Sequence, residues 1–265
     1  MASRYLAVLA LALFPALSIA AAIPEDPTAP TTQVENGDAI VGGSAASAGQ
    51  FPSQVALLRG SSLFCGGVLL NANTVLTAAH CSVDYAASEV SIRAGSLRYA
   101  TGGTVSKISK ILVHPNYDSK TIDNDIALWT LSSSIGTSST IGYATLPAQG
   151  ADPAEGVSTT VSGWGLTSSS STDVEAALRY VSVPVVSRET CNTDYGAGSI
   201  TTGMFCAAAT GKDSCSGDSG GPITITSTGV LAGTVSWGNG CAEDGYPGVY
   251  SRIGKFVDWI NANVS

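Results

Sequence analysis

The chain holds two histidines, His80 and His114, and only one of them has neighbours that could make it a chemical group. His80 closes the run Leu76-Thr77-Ala78-Ala79-His80-Cys81, at the end of a strand-like segment and beside a cysteine able to fix its backbone. His114 stands before Pro115 in the polar sequence His114-Pro115-Asn116-Tyr117-Asp118 and reads as a turn residue. A serine lies between glycines in Gly217-Asp218-Ser219-Gly220-Gly221-Pro222. Glycine lets the chain bend sharply there, which leaves the Ser219 Oγ clear and the nearby amide N–H groups uncrowded. Such donors can hold a developing oxyanion, each worth about 2.7–4 kcal/mol in the transition state. A third group should orient the imidazole. Asn124-Asp125-Ile126-Ala127-Leu128-Trp129 sets Asp125 at the mouth of an apolar run where it can lose water, whereas Asp118 and Asp123 sit in polar loop sequence. A base, a desolvated acid and a freed hydroxyl are the parts of nucleophilic catalysis through a covalent intermediate.

Those residues need a scaffold that brings distant parts of one chain together. Short runs of strand character recur between Gly, Asn, Asp and Ser: 54–58, 67–70, 74–78, 90–94, 104–113 and 126–131, then 159–163, 178–185, 221–226, 230–236 and 248–252. This spacing predicts an antiparallel all-β fold, with too many strands for one small sheet. Two barrels or sandwiches follow, joined through Ala148–Gly156. Only 253–264 reads as a helix, with Phe256, Val257, Trp259, Ile260 and Val264 forming an apolar stripe that docks on the body of the protein. Of the 265 residues, 12% are charged, with 12 Lys+Arg against 20 Asp+Glu. That balance excludes the basic face of a nucleic-acid binder and argues against charge-driven disorder.

Residues 1–22 run from Arg4 through an apolar stretch to small residues at Ser18, Ala20 and Ala22, the layout of a secretory signal. Pro15 interrupts the stretch, which is shorter than the roughly 20 residues a membrane span needs. Residues 23–39, rich in Pro and Thr, read as a propeptide ahead of a folded domain over 40–265. Secretion makes the six cysteines readable as disulfides. Metal ligation is the rival reading, and no Cys-x-x-Cys or paired-His spacing supports it.

The order His80, Asp125, Ser219, with Ile40-Val41-Gly42-Gly43 and the two motifs around His80 and Ser219, resembles the chymotrypsin-like serine proteases of the trypsin family. Leu70–Leu76 and the three-disulfide economy resemble the secreted trypsins of filamentous fungi in particular. This family is the general template for the triad mechanism. The resemblance implies two antiparallel six-stranded β-barrels, about 40–148 and 149–252, with the active site between them and a C-terminal helix. It makes Ser219 the nucleophile, His80 the general base and Asp125 the group that orients it, with the Gly217 and Ser219 N–H groups as oxyanion hole. Asp213 falls at the base of the primary specificity pocket, Gly238 and Gly248 on its walls, and Ser214 and Tyr195 at its border. Ser236, Trp237 and Gly238 match the strand that pairs with substrate. Arg or Lys is the side chain such a pocket accepts. The pairs Cys65–Cys81, Cys191–Cys206 and Cys215–Cys241 are likewise implied by the resemblance.

In such enzymes a new amino terminus, here Ile40, turns inward to pair with the carboxylate beside the nucleophile, here Asp218. Ala39 precedes Ile40 and residues 5–39 contain no Lys or Arg, so a separate activating protease is expected. The pairing also predicts a neutral-to-alkaline pH optimum. Gly95–Lys107 carries no Asp or Glu where vertebrate trypsins hold calcium, so no calcium site is expected there, nor any other metal or cofactor. Ser216 stands where many trypsins have Gln. The partners implied are polypeptide substrates and protein protease inhibitors, with no nucleic acid or membrane, around an extracellular monomer. The alternatives are a catalytically silent protease-like binding protein, which predicts a damaged triad or blocked pocket, and an α/β-hydrolase esterase, whose Ser, acid, His order differs.

Overall fold

The computed structural model describes residues 40–166, 174 and 176–264. The signal and propeptide expected over 1–39 lie outside the described residues. The strands are β1 Ser44–Ala45, β2 Gln54–Arg59, β3 Ser62–Leu69, β4 Thr74–Thr77, β5 Val90–Ala94, β6 Thr104–Val113 and β7 Ala127–Leu131. They continue with β8 Ser158–Gly163, β9 Arg179–Val186, β10 Met204–Ala207, β11 Pro222–Ile225, β12 Leu231–Trp237 and β13 Gly248–Arg252. The helices are α1 Arg188–Tyr195 and α2 Val257–Asn263.

Alternation builds the sheets. In β5 the side chains of Val90, Ile92 and Ala94 are buried while Ser91 and Arg93 face outward, and β9 buries Val181, Val183 and Val185 in the same rhythm. Antiparallel pairing closes β2-β3-β4-β7-β6-β5 into one barrel around Val55, Leu57, Leu69, Val75, Ile92 and Trp129. The second runs β9-β10-β13-β12-β11-β8 and closes through β8–β9 pairing, around Val161, Val183, Phe205, Ile223, Val235 and Tyr250. Closure removes the exposed edges that a dozen short strands would otherwise present.

Four features differ from the sequence-based expectation. Residues 40–46 belong with the second barrel, since β1 pairs with β9 and Ala46 N–H donates to the Leu178 carbonyl. The two-residue β1 is too short to register as a periodic run, and β10 at Met204–Ala207 adds a strand outside the expected runs. Helix α1 escaped because it buries only Cys191 and so carries no apolar stripe; its signal is the Ser187 cap, whose Oγ accepts from Thr190 N–H. The C-terminal helix is real but begins with a 3-10 turn over Ile253–Lys255.

The barrels meet on a shared apolar layer: Val68, Leu76, Ile126 and Leu128 from the first, Leu231 from the second, and Ile253, Phe256, Val257 and Ile260 from the C-terminal segment. Helix α2 therefore staples one barrel to the other. His114 packs edge-on against Phe256, with ring centroids 5.5 Å apart, and lies 4.8 Å from Trp259; burial lowers its basicity. Its place is structural. No helix among the described residues is long and apolar enough to cross a membrane.

Candidate active site

His80 follows the end of β4 on a turn held from inside. Ser82 N–H donates to the Ala79 carbonyl at 2.8 Å, Ser82 Oγ to the Ala78 carbonyl at 2.9 Å, and buried Trp129 Nε1 to Ser82 Oγ at 2.9 Å. Cys81 is bridged to Cys65 on β3, which anchors the turn to the first barrel. Asp125, 1% exposed, takes the His80 backbone N–H on Oδ1 at 2.9 Å and the ring Nδ1–H on Oδ2 at 2.8 Å. With Nδ1 donating, Nε2 keeps its lone pair for a proton taken from elsewhere. Asp118 and Asp123 stay out of the site. Asp118 accepts from Lys120 N–H in an exposed turn, and Asp123 accepts from Thr201 Oγ1.

The second barrel reaches Asp125 as well. The ladder between β12 and β13 shifts register between Val235 and Trp237, which lifts Ser236 out of pairing, and its Oγ donates to Asp125 Oδ2 at 2.5 Å. Sequence reasoning placed Ser236 on the substrate strand and missed this side-chain role, which no local pattern encodes.

The Ser219 segment is wedged between the barrels. Gly66 N–H on β3 donates to the Ser219 carbonyl at 2.7 Å, and Gly220 N–H donates to the Val235 carbonyl at 2.8 Å. Gly217 and Gly220 adopt left-handed φ of 98° and 75°, and a Cβ on Gly220 would collide with Thr77 and the Gly66 backbone. Cys81 Sγ lies 3.6 Å from His80 Nε2 and 3.7 Å from the Ser219 carbonyl oxygen, so the imidazole and the serine segment converge on that disulfide. Cys65, His80 and Cys81 form the one cluster of ligand-type atoms among the described residues, and the bridge already ties up both sulfurs.

Asp218 is fully buried. Its oxygens accept from Gly165 N–H at 2.7 Å and Cys215 N–H at 2.9 Å, and burial, aided by the Asp213 charge, pushes its carboxyl up to about 7. No ion pair involves it among the described residues. Ile40 is also fully buried, in the second-barrel core beside Val161.

A cavity of about 230 Å³ opens beside Ser219, bounded by Asp213, Ser214, Ser216, Ser236, Trp237, Gly238 and Gly248. Asp213 at its base is 4% exposed; Oδ2 accepts from Ala242 N–H at 3.0 Å while Oδ1 has no protein partner among the described residues. Burial pushes this carboxyl up to about 6. A Cβ on Gly248 would lie 2.6 Å from Asp213 Oδ1, whereas one on Gly238 would meet nothing closer than 3.9 Å and would stand in the cavity. Glycine at these positions keeps the way to the carboxylate open.

Tyr195, at the end of α1, ties both walls together. Its hydroxyl donates to the Pro247 carbonyl at 2.8 Å and accepts from Asn239 N–H at 3.3 Å, and its ring packs edge-on against Trp237. Bridges Cys191–Cys206 and Cys215–Cys241 brace the same region.

Two antiparallel barrels with a histidine, an aspartate and a serine brought together at their junction define the chymotrypsin-like class of serine proteases. The family model described as Trypsin matches residues 40–260, and the chain belongs to that family. It is 46% identical over 259 residues to "Trypsin Blo t 3" of Blomia tropicalis, covering 94% of this chain and 96% of that protein. It is 47% identical over 223 residues to "Trypsin alpha" of Drosophila melanogaster, covering 83% and 86%, and 46% identical over 226 residues to "Trypsin beta" of Drosophila erecta, covering 84% and 88%. These relatives come from a mite and from flies, so the narrower likeness to fungal trypsins drawn from Leu70–Leu76 finds no support among them.

Proposed function

We propose that the chain is a secreted endopeptidase, made as an inactive precursor, that cuts polypeptides after Arg or Lys. Asp213 carries this reading: a buried carboxylate with one unpartnered oxygen, at the base of a cavity that begins beside Ser219. A buried charge without a partner is costly, and the guanidinium or ammonium of a substrate would relieve that cost. The relatives named trypsins agree with it.

In the proposed reaction Ser219 Oγ attacks the scissile carbonyl as His80 Nε2 takes its proton. The tetrahedral oxyanion is received by the N–H groups of Gly217 and Ser219, neither of which donates to another group among the described residues. His80 then protonates the leaving amine, and water releases the acyl-enzyme by the same route in reverse. Asp125 stabilises the imidazolium at each step. The extended backbone of substrate pairs along Ser236–Gly238.

Precursor control rests on Ile40 and Asp218. While Ala39 is attached, the Ile40 nitrogen is an uncharged amide, and the buried Asp218 has no counterion. Cutting the Ala39–Ile40 bond creates an ammonium to pair with it, and the cut is made by a different protease because the bond follows no basic residue. Ile40 also holds a left-handed φ of 50°, unfavourable for a β-branched residue. That torsion ceases to exist once Ala39 is gone.

The test is hydrolysis of Arg-, Lys-, Phe- and Ala-anilides by the activated protein and by Asp213→Ser. Arg and Lys substrates should be turned over far faster, and the substitution should erase that preference; equal rates across the four would sink the reading.

A further inference from the structure

Asp125 sits at an unusual piece of backbone. Asn124 adopts a left-handed φ of 54°, held by its own Nδ2 donating to the Asn116 carbonyl at 2.9 Å. Ile126 N–H donates to the Asn124 carbonyl at 2.9 Å, closing a three-residue turn centred on Asp125. The next carbonyl, that of Ile126, accepts from His114 N–H within the first barrel. The Asp125 carbonyl lies two residues ahead of the β7 ladder, which starts with Ala127 paired to Thr77 and Val113. It is turned toward the second barrel instead. There Ser251 Oγ, on β13 and 2% exposed, donates to it at 2.7 Å in a buried setting. Ser251 is held in turn by strand pairing on both sides, to Thr234 and to Met204.

We propose that Ser251 is a positioning residue for the reaction: its hydroxyl, reaching across the barrel junction, locks the turn that aims the Asp125 carboxylate at His80. The two serines divide the work. Ser236 binds the carboxylate itself, while Ser251 binds the peptide unit from which that side chain projects. A turn this short fixes the direction of its central side chain through its peptide planes, and a buried carbonyl left without a donor would rotate to find one. Swinging the peptide moves both carboxylate oxygens, and with them the two bonds to His80. Of the residues lining the substrate cavity only Ser236 bonds to Asp125, and Asp213 at the cavity base is held separately by Ala242 N–H, so the part of the pocket that receives the substrate side chain stays in place. Ser251 therefore acts on kcat and leaves KM alone.

The inference rests on the proposed triad, so the activated wild-type protein is assayed first; failure to turn over any Arg substrate would end that reading independently. Given an active enzyme, Ser251→Ala should lower kcat about tenfold, which is about 1.4 kcal/mol of activation free energy, with KM within about twofold. Ser251→Thr, which keeps the hydroxyl, should recover most of the loss. Ser162→Ala serves as the comparison, because Ser162 Oγ donates across the same junction to Gln54 Oε1 at 2.7 Å without touching Asp125. It should cost stability to a similar degree and leave kcat near wild type. The inference is overturned if Ser251→Ala keeps full kcat, if Ser251→Thr is as impaired as Ser251→Ala, or if Ser162→Ala loses kcat equally. Should Ser251→Ala fail to fold, Ser251→Cys, with similar volume and a weaker donor, takes its place under the same criteria.

Discussion

Cutting one peptide bond should change how the stability of this protein depends on pH. In the uncut chain Asp218 is buried with a carboxyl pushed from 3.8 up to about 7. A group whose folded value is raised contributes stability that is complete below its unfolded value and is lost as pH climbs through the folded one. At about 1.4 kcal/mol per pH unit, the precursor should lose about 4 kcal/mol between about pH 4 and pH 7. After the cut, the Ile40 ammonium pairs with Asp218, keeps it ionised in the fold, and removes most of that loss. The ammonium's own value, near 8 when free, rises on pairing, so its contribution persists through neutral pH and disappears only above that. Relief of the left-handed torsion at Ile40 adds a pH-independent offset of about 1–3 kcal/mol. Asp213 also titrates upward, to about 6, but in both forms, so it cancels in the comparison. The assay uses Ser219→Ala protein, incapable of self-digestion, as intact precursor and after cleavage at Ala39–Ile40 by a protease tolerant of small residues. Denaturant unfolding is followed from pH 4 to pH 8. The two stability curves should diverge with rising pH, reaching about 4 kcal/mol, or roughly 10 °C in Tm for a domain of this size. Parallel curves would refute the pairing of Ile40 with Asp218.

Three other outcomes follow from the site. Because the Asp213 carboxyl is pushed up to about 6, KM for Arg substrates should rise as pH falls through that value, while KM for a Phe ester, measured alongside, should not follow. Gly248→Val would place carbon against Asp213 Oδ1 and should reduce kcat/KM for Arg substrates about a hundredfold while leaving active-site labelling by a fluorophosphonate intact. The Gly95–Lys107 segment is organised from within by Arg93, whose guanidinium donates to the carbonyls of Tyr99, Ala100 and Gly102. Arg93→Gln should therefore cost about 1–3 kcal/mol in denaturant unfolding, and a calcium chelator should leave the wild-type midpoint where it is.

Much of the site was legible because its chemistry needs rare residue types in fixed local settings. With two histidines in the chain, only His80 stood beside an apolar run and a cysteine. Ser219 announced itself through glycines at 217, 220 and 221, and the backbone explains why: two of them hold positive φ, and Gly220 leaves no room for a Cβ. Asp125 was separable from Asp118 and Asp123 because hydrophobic sequence on one side of it forecast burial. Helix α1 was illegible for the opposite reason, since a helix that buries one cysteine leaves no periodic trace. Nor does anything in the sequence mark Ser236 or Ser251, two strand serines among many, as partners of Asp125.

The division follows the range of the interactions. Turn geometry, strand alternation and the desolvation of a carboxylate beside an apolar run depend on near neighbours, and the sequence by itself determined what rests on them: His80, Asp125 and Ser219 as the candidate catalytic groups, the all-β class and the C-terminal helix. Contacts that cross the junction depend on how two closed barrels rest on each other, and only the tertiary structure decided those. The donation of Ser236 and Ser251 to Asp125 spans 111 and 126 residues of chain, and within the second barrel that of Gly165 to Asp218 spans 53. A hydrogen bond needs its two atoms within about 3 Å, and no local pattern carries that information across such separations. Burial then does what composition cannot: it turns Asp213 and Asp218, two ordinary acids in a glycine-rich stretch, into groups poised near neutral pH, one facing the cavity and one buried in the same barrel as Ile40.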